Sequence, residues 1–371
     1  MKTRRTARCF READPVLAED LDLIASDERI EWSRFRNSTI LVTGATGFLG
    51  SLLVKALAEA NLKRELGLRI LADVRSVDKA RKVLRVPMCH KFVRVVPGGC
   101  REPNRIGEKV DYIFHTVAVT TSRMMVDEPY ETAAVTLIGT QNMLDLAREN
   151  AVKGMVYLSS MEVYGIPTSK RGLVTEDKIG YLNPLLPRSS YPESKRMAEC
   201  LCAAAAHEYG TPVTIARLAQ TFGAGISKTD TRVFAQFARA IMSGSDIVLR
   251  SDGSTQRCYC YSRDAVVALL MLATKGQRGE AYNIANEKTF CSIREMAERV
   301  IAASPASESR LVFDIADDIS KLGYLPKFRM KLSSRKMRDL GWRPSVDLET
   351  MYVRLIASFK SQGEGREEQK K

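Results

Sequence analysis

The feature that most constrains this chain is a glycine-rich turn between an apolar run and a helical stretch, "TILVTGATGFLG" at residues 39–50. Gly44, Gly47 and Gly50 stand three residues apart in it. Glycines let the backbone turn tightly and approach a pyrophosphate, whose charge meets the N–H groups of the following helix. Three glycines alone are weak evidence, because ordinary turns also use glycine. Their position between strand and helix, at the start of a βαβ series, predicts dinucleotide binding.

The rest of the chain continues the alternation that this turn begins. Short β-branched runs alternate with amphipathic helices from Thr39 to about residue 222, which predicts an α/β fold with a Rossmann-type doubly wound parallel sheet. Later segments are shorter and more mixed, which indicates a smaller α/β C-terminal substrate lobe interleaved with the Rossmann domain. The predicted parts are an N-terminal extension (1–37) with one helix around "PVLAEDLDLIAS", an NAD(P)-binding Rossmann domain (38–222), a mainly substrate-binding lobe (223–360) and a disordered tail (361–371).

Composition narrows the class of protein. Hydrophobic residues make up 45% and charged residues 27% of the chain, as is ordinary for a soluble globular protein. No apolar stretch approaches the roughly 18 to 20 residues that a membrane helix needs. The basic N-terminus lacks the apolar segment of a secretory signal. We therefore expect a cytoplasmic protein without a membrane partner.

Metal and nucleic-acid functions find little support. Eight cysteines and three histidines are scattered without zinc-ligand spacing, so we expect reduced thiols and no metal site. The net charge of +13 is compatible with nucleic-acid binding, but part of the excess lies in the N-terminal tail and no nucleic-acid motif is present. A phosphorylated, anionic substrate explains the remaining charge equally well, and we expect no nucleic-acid partner.

The end of the second predicted strand, "ILADVRS", bears on the choice of cofactor. An acidic residue there typically binds the ribose hydroxyls of NAD, whereas an arginine accommodates the phosphate of NADP. The chain has both Asp73 and Arg75. We expect NADP, bound through Arg75, with NAD as the alternative.

A tyrosine and a lysine stand one helical turn apart in "RSSYPESKRMAE". Ser190 and Glu193 have the spacing of a capping box, which predicts that a helix begins here. Tyr191 and Lys195 then lie on the same side of that helix. A nearby ammonium is expected to lower the pKa of the phenol from about 10 and to make it an acid and base near neutrality.

The segment "LSSMEVYG" at residues 158–165 leaves an apolar strand with Ser160 and Glu162 two residues apart. One interpretation is a strand end, in which period-two alternation sends Ser160, Glu162 and Tyr164 to one face and Met161 to the other. The other interpretation is the floor of an active site.

With these motifs, the chain resembles the extended short-chain dehydrogenases/reductases of the nucleotide-sugar epimerase/dehydratase group, from about Thr39 to Ala357. The resemblance rests on "TGATGFLG", "DYIFHTVAV", "IGTQNMLDLA", "SSMEVYG", "YPESK", "ARLAQTFG", "GSTQRCYCYSRD" and "LGWRPSVDLE". It implies an enzyme that binds NAD(P) in a Rossmann domain and a nucleoside-diphosphate sugar in the smaller lobe. It also implies a homodimer formed through a four-helix contact.

The same resemblance implies roles for individual residues. Ser160, Tyr191 and Lys195 become the catalytic triad, and Lys195 also contacts the nicotinamide ribose. Arg257 matches an arginine that binds the sugar diphosphate, and Arg329 falls where the family often has another. The remaining expected contacts are Gln220 to the substrate and, to the cofactor, Gly44, Thr46, Gly47, Phe48, Leu49, Arg75, Val117, Ala118, Tyr191 and Lys195.

The reaction implied is hydride transfer at C4 of the sugar, by an epimerase or a 4-keto-reductase. Alternatives are a UDP-glucuronate decarboxylase, whose R-S-x-Y-x-E-x-K-R pattern is the most similar, a 4,6-dehydratase or a non-catalytic NADP sensor. Met161 stands where dehydratases carry an aspartate, so we expect no 4,6-dehydratase activity, with Glu162 as a catalytic-site residue that contacts the sugar or tunes Tyr191. The sequence departs from the family at Gly98 and Gly99, where an aspartate near the adenine is usual, and at Thr136 and Gln220, where asparagines are common.

Overall fold

The computed structural model describes residues 14–102, 106–119, 121–167, 173–315 and 327–367. Its centre is a seven-stranded, wholly parallel sheet. The strands of the described residues are β1 (Thr39–Thr43), β2 (Arg69–Val74), β3 (Val93–Pro97), β4 (Tyr112–His115), β5 (Gly154–Ser160), β6 (Val213–Leu218), β7 (Gln220–Phe222), β8 (Ile247–Leu249), β9 (Gln256–Tyr261), β10 (Ala281–Ile284), β11 (Asn286–Ser292), β12 (Leu311–Phe313) and β13 (Arg329–Met330).

Helices cover both faces of this sheet, and strand β1 is buried along its whole length. The α-helices of the described residues are α1 (Pro15–Ser26), α2 (Phe48–Arg64), α3 (Val77–Val83), α4 (Ser122–Asp127), α5 (Pro129–Glu149), α6 (Ser190–Glu208), α7 (Val233–Ser243), α8 (Ser262–Lys275), α9 (Ile293–Ala302), α10 (Arg335–Asp339) and α11 (Leu348–Glu367). Short 3-10 turns are Trp32–Phe35, Pro87–Cys89, Met161–Tyr164 and Pro187–Ser189.

The strand order of the main sheet shows where a ligand-binding crevice is expected. The main sheet runs β3-β2-β1-β4-β5-β6-β10, so β1 pairs with β2 on one side and with β4 on the other. The connections reverse direction between β1 and β4, and ligands of open α/β sheets bind beyond the carboxyl ends of the strands at such a point. The predicted Rossmann-type doubly wound sheet is confirmed.

A smaller lobe follows the main sheet. Strand β9 pairs with β11, β13 and β7 to form a four-stranded sheet, and β8 pairs with β12. An aromatic core fills the lobe, in which the rings of Phe222 and Phe234 stack 4.7 Å apart. Helix α8 and strand β10 lie between these elements in the chain but pack with the main sheet, so the chain passes more than once between the two parts.

The segment before the sheet is bound tightly to it. Helix α1 has the bounds of the predicted helix, and its apolar side packs into the main core. Asp14 accepts a hydrogen bond from Ser358 at 2.5 Å, and Asp20 accepts one from Arg354 at 2.8 Å, so α1 fastens helix α11 across the whole length of the chain. Residues 1–13 of the predicted extension lie outside the described residues.

The C-terminal boundary differs from the predicted one. Helix α11 continues to Glu367, whereas the sequence placed a disordered tail from residue 361. Residues 368–371 of that tail lie outside the described residues.

Candidate active site

The glycine turn lies at the carboxyl end of β1 and opens α2. Gly44 has φ +64°, a conformation that favours glycine, and a Cβ atom on Gly50 would lie 2.4 Å from the Gly44 carbonyl oxygen. The N–H of Gly47 donates to that same oxygen at 2.8 Å. Gly47 is the N-cap of α2, and no side chain caps this helix end. Thr46, Phe48 and Leu49 flank the resulting anion-binding turn, which suits a pyrophosphate.

The residues after β4 face this turn. Thr116 Oγ1 donates to the Thr43 carbonyl at 2.7 Å, which fixes the chain beyond the strand end. A Cβ on Gly44 would lie 3.2 Å from the Val117 backbone nitrogen, so Val117 borders the turn directly and Ala118 follows it. The sequence placed both at the cofactor, and the structure brings Val117 into direct contact with the glycine turn.

Asp73 and Arg75 separate at the end of β2. Asp73 is buried and accepts a hydrogen bond from the Gly99 N–H at 3.0 Å, while Arg75 is exposed. Burial raises the pKa of Asp73 to about 6, and the bond from Gly99 opposes that shift. The two glycines that replace the usual aspartate have φ of +132° and +84°, which explains the departure at Gly98 and Gly99 by backbone conformation.

A cavity of about 260 Å³ opens beside Asp73. Val96, Pro97 and Gly99 line it from the β3 side, and Asn142 of helix α5 lines it from above. This concave site lies between the ends of β2 and β3 and helix α5, and its shape fits the adenosine half of a dinucleotide. The glycine turn and this cavity therefore fit an NAD(P) dinucleotide.

The segment "LSSMEVYG" forms the floor beyond β5. The strand ends at Ser160 and the chain turns into a 3-10 helix, so the alternation of a strand does not continue. Ser160 Oγ accepts the Glu162 N–H at 3.2 Å. The Met161 side chain is buried in an apolar cluster with Met330 and Leu332 of the smaller lobe.

Helix α6 carries the tyrosine and the lysine, but it is not capped as predicted. The 3-10 turn Pro187–Ser189 leads straight into the helix, Ser190 already has helical angles, and no side chain caps the end. Ser190 Oγ instead donates to the Met125 carbonyl at 3.3 Å, and Glu193 pairs with Arg196. The predicted capping box of Ser190 and Glu193 is wrong, because a capping serine needs extended backbone.

Tyr191 and Lys195 lie on one side of α6, as their spacing requires. Lys195 is fully buried, and its ammonium donates to the Leu158 carbonyl at 2.6 Å and lies 6.0 Å from the centroid of the Tyr191 ring. Burial lowers the pKa of Lys195 to about 8. Burial also raises the pKa of Tyr191 to about 12, with Glu162 adding to the rise and a hydrogen bond with Ser160 opposing it. The expected lowering of the phenol pKa is therefore wrong, because burial dominates at Tyr191.

An ion pair that the sequence did not predict borders the phenol. Arg188, in the turn before α6, donates from Nη2 to both oxygens of Glu162 at 3.0 and 2.9 Å. The Nε and Nη1 atoms of Arg188 are buried and have no hydrogen-bond partner among the described residues. Arg188 stands in the R-S-x-Y-x-E-x-K-R pattern, which is the signal that could have found it. Nothing in the spacing predicts its contact with Glu162.

A second unpredicted pair fixes the other side of α6. Glu199, one turn after Lys195, receives three hydrogen bonds from Arg217 of β6 and one from Ser159 of β5. Arg217 Nη1 also donates to the Tyr164 hydroxyl at 3.0 Å. This network holds the helix that bears Tyr191 against the strand that bears Ser160.

The three predicted substrate residues lie on strands of the small sheet but do not all share one face. Gln220 in β7 and Arg257 in β9 belong to paired strands, and Arg329 in β13 pairs along the same β9. The Arg257 guanidinium lies 5.2 Å from the Phe328 ring, and its Nε is buried without a partner among the described residues. Arg329 is exposed and stacks on Phe290 at 4.9 Å. Because Arg329 pairs with Gln256 whereas Arg257 pairs with Met330, the two guanidinium groups leave opposite faces of the sheet, and only Arg257 has a buried donor, unbonded in the described part of the chain, that suits an anionic ligand.

Two further findings concern the class of protein. Within the described ranges, no group of three or more His, Cys, Asp or Glu side chains is arranged to hold a metal ion. No helix in the described part of the chain combines the length and apolar character needed to cross a membrane. Thr136, at the position of a common asparagine, donates to the Thr132 carbonyl at 3.1 Å within α5.

A Rossmann-type sheet with a glycine turn after β1 and a tyrosine and lysine one turn apart beside β5 defines an extended short-chain dehydrogenase/reductase. A model of the NAD dependent epimerase/dehydratase family matches residues 40–285, and the chain belongs to that family. It is therefore an enzyme of a group that comprises nucleotide-sugar epimerases, decarboxylases and dehydratases.

Individual relatives represent different reactions. The chain is 32% identical over 316 residues to UDP-glucuronic acid decarboxylase 6 of Arabidopsis thaliana, with 84% of this chain and 86% of that protein covered. It is 25% identical over 323 residues to dTDP-D-glucose 4,6-dehydratase of Mus musculus, with 84% and 85% covered. Among solved structures, UDP-glucuronic acid 4-epimerase from Bacillus cereus, in complex with UDP-glucuronic acid and NAD, shares the fold with a TM-score of 0.71 at 20% identity, covering 87% of this chain and 99% of that one.

Proposed function

We propose that this enzyme transfers a hydride at C4 of a nucleoside-diphosphate sugar, either as an epimerase, which oxidises C4 and reduces it again, or as a 4-keto-reductase, which reduces a 4-keto sugar with the bound reduced cofactor. The observation that supports this most strongly is the placement of Ser160, Tyr191 and Lys195 around the end of β5. This edge of the sheet is also the edge from which the glycine turn projects. Both features therefore serve one crevice, in which a sugar carbon and a nicotinamide can meet.

The chemistry divides between the bound cofactor and the chain. The nicotinamide, when bound, accepts and returns the hydride of C4. Tyr191, as the phenolate, takes the proton of the C4 hydroxyl while the C–H bond breaks and a carbonyl forms. Ser160, hydrogen-bonded to Tyr191, holds the same sugar oxygen, and this hydrogen bond and the Arg188 charge both favour the ionised phenol, while the Lys195 ammonium lies 6.0 Å from the centroid of the ring. Return of the hydride and the proton restores the hydroxyl.

NADP is the proposed cofactor. Arg75 is exposed at the end of β2, and its side chain packs over Gly99 at the mouth of the cavity, where a Cβ on Gly99 would lie 3.0 Å from the Arg75 Cγ. A guanidinium there suits the 2′-phosphate of NADP. Asp73 uses one carboxylate oxygen for Gly99, so NAD stays the alternative through its other oxygen.

Dehydration across C5 and C6 is not part of the proposal. Elimination needs an acid that protonates the leaving hydroxyl and a base that removes the C5 proton. The Met161 thioether cannot donate a proton, and its side chain is buried in the cluster with Met330 and Leu332. Glu162 supplies a carboxylate without the second group.

Decarboxylation of a uronate nucleotide is the second candidate. It begins with the same oxidation at C4 and needs no elimination acid. The 32% identity to the Arabidopsis thaliana decarboxylase and the shared pattern around Tyr191 support it. In this reaction the 4-keto group withdraws the electrons that the departing carbon dioxide leaves behind.

The test of the proposed function is the change Tyr191→Phe. We expect turnover to fall at least about a hundredfold, because a positioned acid and base typically supplies that much. Cofactor affinity, measured by fluorescence titration, should stay nearly unchanged. Tyr130→Phe, at an exposed ring on α5, is the matched control and should keep full turnover. Wild-type turnover in Tyr191→Phe on the true substrate would rule out this site.

The substrate is identified by incubating the purified enzyme and cofactor with UDP-, dTDP-, CDP- and GDP-sugars, including UDP-glucuronate, under NMR. A C4 epimer or a reduced 4-keto sugar supports the leading proposal, and a pentose nucleotide with carbon dioxide supports the second. A 4-keto-6-deoxy sugar accumulating from any hexose nucleotide would contradict the interpretation of Met161. If the protein binds the cofactor but converts none of these nucleotide sugars, the result would point to the non-catalytic sensor.

A further inference from the structure

The Glu162–Arg188 pair differs from an ordinary structural ion pair. Only one guanidinium nitrogen of Arg188 is used, and that nitrogen contacts both oxygens of Glu162. The other donor atoms, Nε and Nη1, are buried and unbonded in the described part of the chain. Arg217, by contrast, uses its Nε, Nη1 and Nη2 atoms in hydrogen bonds. Hydrogen bonding alone therefore does not account for Arg188.

The Glu162–Arg188 pair lies next to Tyr191, which indicates a role in the ionisation of the phenol. Glu162 follows Ser160, which hydrogen-bonds Tyr191, and Arg188 stands three residues before Tyr191 on the turn that leads into α6. A carboxylate and a guanidinium, hydrogen-bonded to each other, thus both act on the phenol. In a buried site such charges act strongly, because little water screens them.

Other groups also face the phenol, and they define its surroundings. Arg232, which precedes α7, favours the phenolate but is paired with Asp230 at 2.7 Å, and Tyr157 of β5 lies between Lys195 and the sheet. The titratable or charged groups around Tyr191 are Glu162, Arg188, Lys195, Arg232 with Asp230, and Tyr157.

Of these groups, Glu162 is the one whose charge opposes ionisation of the phenol most strongly, after burial itself. Arg188 is its direct partner and has the opposite effect on Tyr191. Removing Arg188 would leave a negative charge unpaired beside the group that must become negative to accept the C4 proton. Removing Glu162 would leave a positive charge there instead.

We propose that Arg188 is a positioning residue for the reaction: it neutralises and orients Glu162 beside the Tyr191 hydroxyl, so that the phenol can act as a base. This inference rests on the proposed function, in which Tyr191 takes the proton of the sugar. It assigns to Glu162 the tuning of Tyr191 rather than an elimination step.

The experiment is the pH dependence of turnover in four forms of the full-length enzyme: wild type, Arg188→Met, Glu162→Gln and the double variant. The acidic limb of turnover reports ionisation of the base in the enzyme–substrate complex. We expect Arg188→Met to move this limb about one unit to higher pH and Glu162→Gln to move it to lower pH. The double variant should return the limb close to that of the wild type. Arg188→Lys, which keeps the charge, should rescue most of the shift.

Arg123→Met serves as the matched control, since Arg123 is exposed on α4 and pairs with Asp127. Its limb should coincide with that of the wild type. A second measurement needs no substrate: ultraviolet difference titration of the phenolate in the cofactor-bound protein, with Tyr191→Phe as the blank. It should show the same shifts.

Two outcomes would overturn the inference. One is an Arg188→Met enzyme whose turnover falls equally at every pH with an unmoved limb and an unmoved phenolate titration. The other is a double variant whose defects simply add. Both differ from failure of the proposed function, which is signalled by Tyr191→Phe keeping its turnover. If Arg188→Met does not fold, an Arg188→Lys limb that differs from the wild type by about one unit or more counts against the inference.

Discussion

Helix α6 is flanked by two carboxylate–guanidinium pairs. Each consists of one glutamate and one arginine, but the burial and the hydrogen bonding of the two pairs differ. In the Glu199–Arg217 pair both side chains are 9% exposed, and every nitrogen of the guanidinium is hydrogen-bonded. In the Glu162–Arg188 pair the side chains are 23% and 15% exposed, and only one nitrogen is used.

This difference indicates that one pair stabilises the packing of α6 and that the other acts through its charge. The saturated Glu199–Arg217 pair joins α6, β5 and β6 through Ser159 and Tyr164, so its geometry is fixed on every side. The Glu162–Arg188 pair leaves donors unused at a cost of about 1 to 3 kcal/mol for each buried group. Destabilising features of this kind, such as buried donors without hydrogen bonds, are typical of sites where the charge itself has a function.

The largest effect should come from breaking the saturated pair. Arg217→Met leaves the Glu199 carboxylate buried and unpaired, and we expect the free energy of unfolding to fall by about 3 to 5 kcal/mol. Urea denaturation of the protein without cofactor measures this loss. Arg188→Met is the matched comparison and should lose no more than about 1 kcal/mol, because removing its two buried, unbonded donor atoms offsets the loss of the ion pair.

An additional variant sharpens this result. Replacing both partners, as in Glu199→Leu with Arg217→Met, removes the unpaired charge and should recover a substantial part of the loss. Equal destabilisation by Arg217→Met and Arg188→Met would mean that the two pairs do not differ in the way described.

The sequence predicted the parts of the fold that local pattern determines. The glycine turn, the parallel strands and the bounds of α1 follow from periodicity and residue spacing over a few residues. The start of α6 does not. Its serine looks like a cap, but the preceding 3-10 turn and the distant Met125 carbonyl determine what Ser190 does.

The electrostatics of the site were also out of reach of the sequence. The spacing of Tyr191 and Lys195 is local and was predictable, whereas the burial that raises the pKa of Tyr191 comes from elements far apart in the chain. The contacts of Arg188 and Arg217 likewise join segments that only the folded chain brings together. Residue types are visible in a sequence, but desolvation is not.

Asp73 and Arg75 extend the comparison as a carboxylate and a guanidinium that do not pair with each other. Asp73 points inward to Gly99, and Arg75 lies at the surface. We expect Arg75→Ala to weaken NADP(H) binding by about 10- to 100-fold, the value of one or two charge-assisted hydrogen bonds, and to leave NAD(H) binding nearly unchanged.

Calorimetric titration of both cofactors measures the effect of Arg75→Ala. Arg81→Ala on helix α3, where Arg81 pairs with Asp78 at the surface, is the control and should alter neither affinity. Equal losses for the two cofactors, or a wild type that prefers NAD(H), would refute the assignment of Arg75.

The smallest effect concerns Asp73 and pH. With a pKa raised to about 6 by burial, Asp73 is neutral below that pH and ionised above it. The ionised carboxylate accepts hydrogen bonds from the ribose hydroxyls of NAD but repels the 2′-phosphate of NADP. As the pH rises from 5 to 7, NADP(H) should therefore lose affinity relative to NAD(H), by up to about tenfold, the equivalent of one pKa unit.

Ionisation of the 2′-phosphate of NADP changes the preference in the opposite direction to ionisation of Asp73. The variant Asp73→Asn separates the two effects. Phosphate monoesters ionise a second time near pH 6, so the attraction of NADP to Arg75 strengthens over the same range. In Asp73→Asn, whose amide oxygen can still accept the Gly99 N–H, only the phosphate titrates, and the preference should turn toward NADP(H) as the pH rises. Opposite slopes in the wild type and Asp73→Asn would locate the effect in the carboxylate. Parallel slopes would mean that Asp73 is already ionised throughout, or that it does not face the ribose.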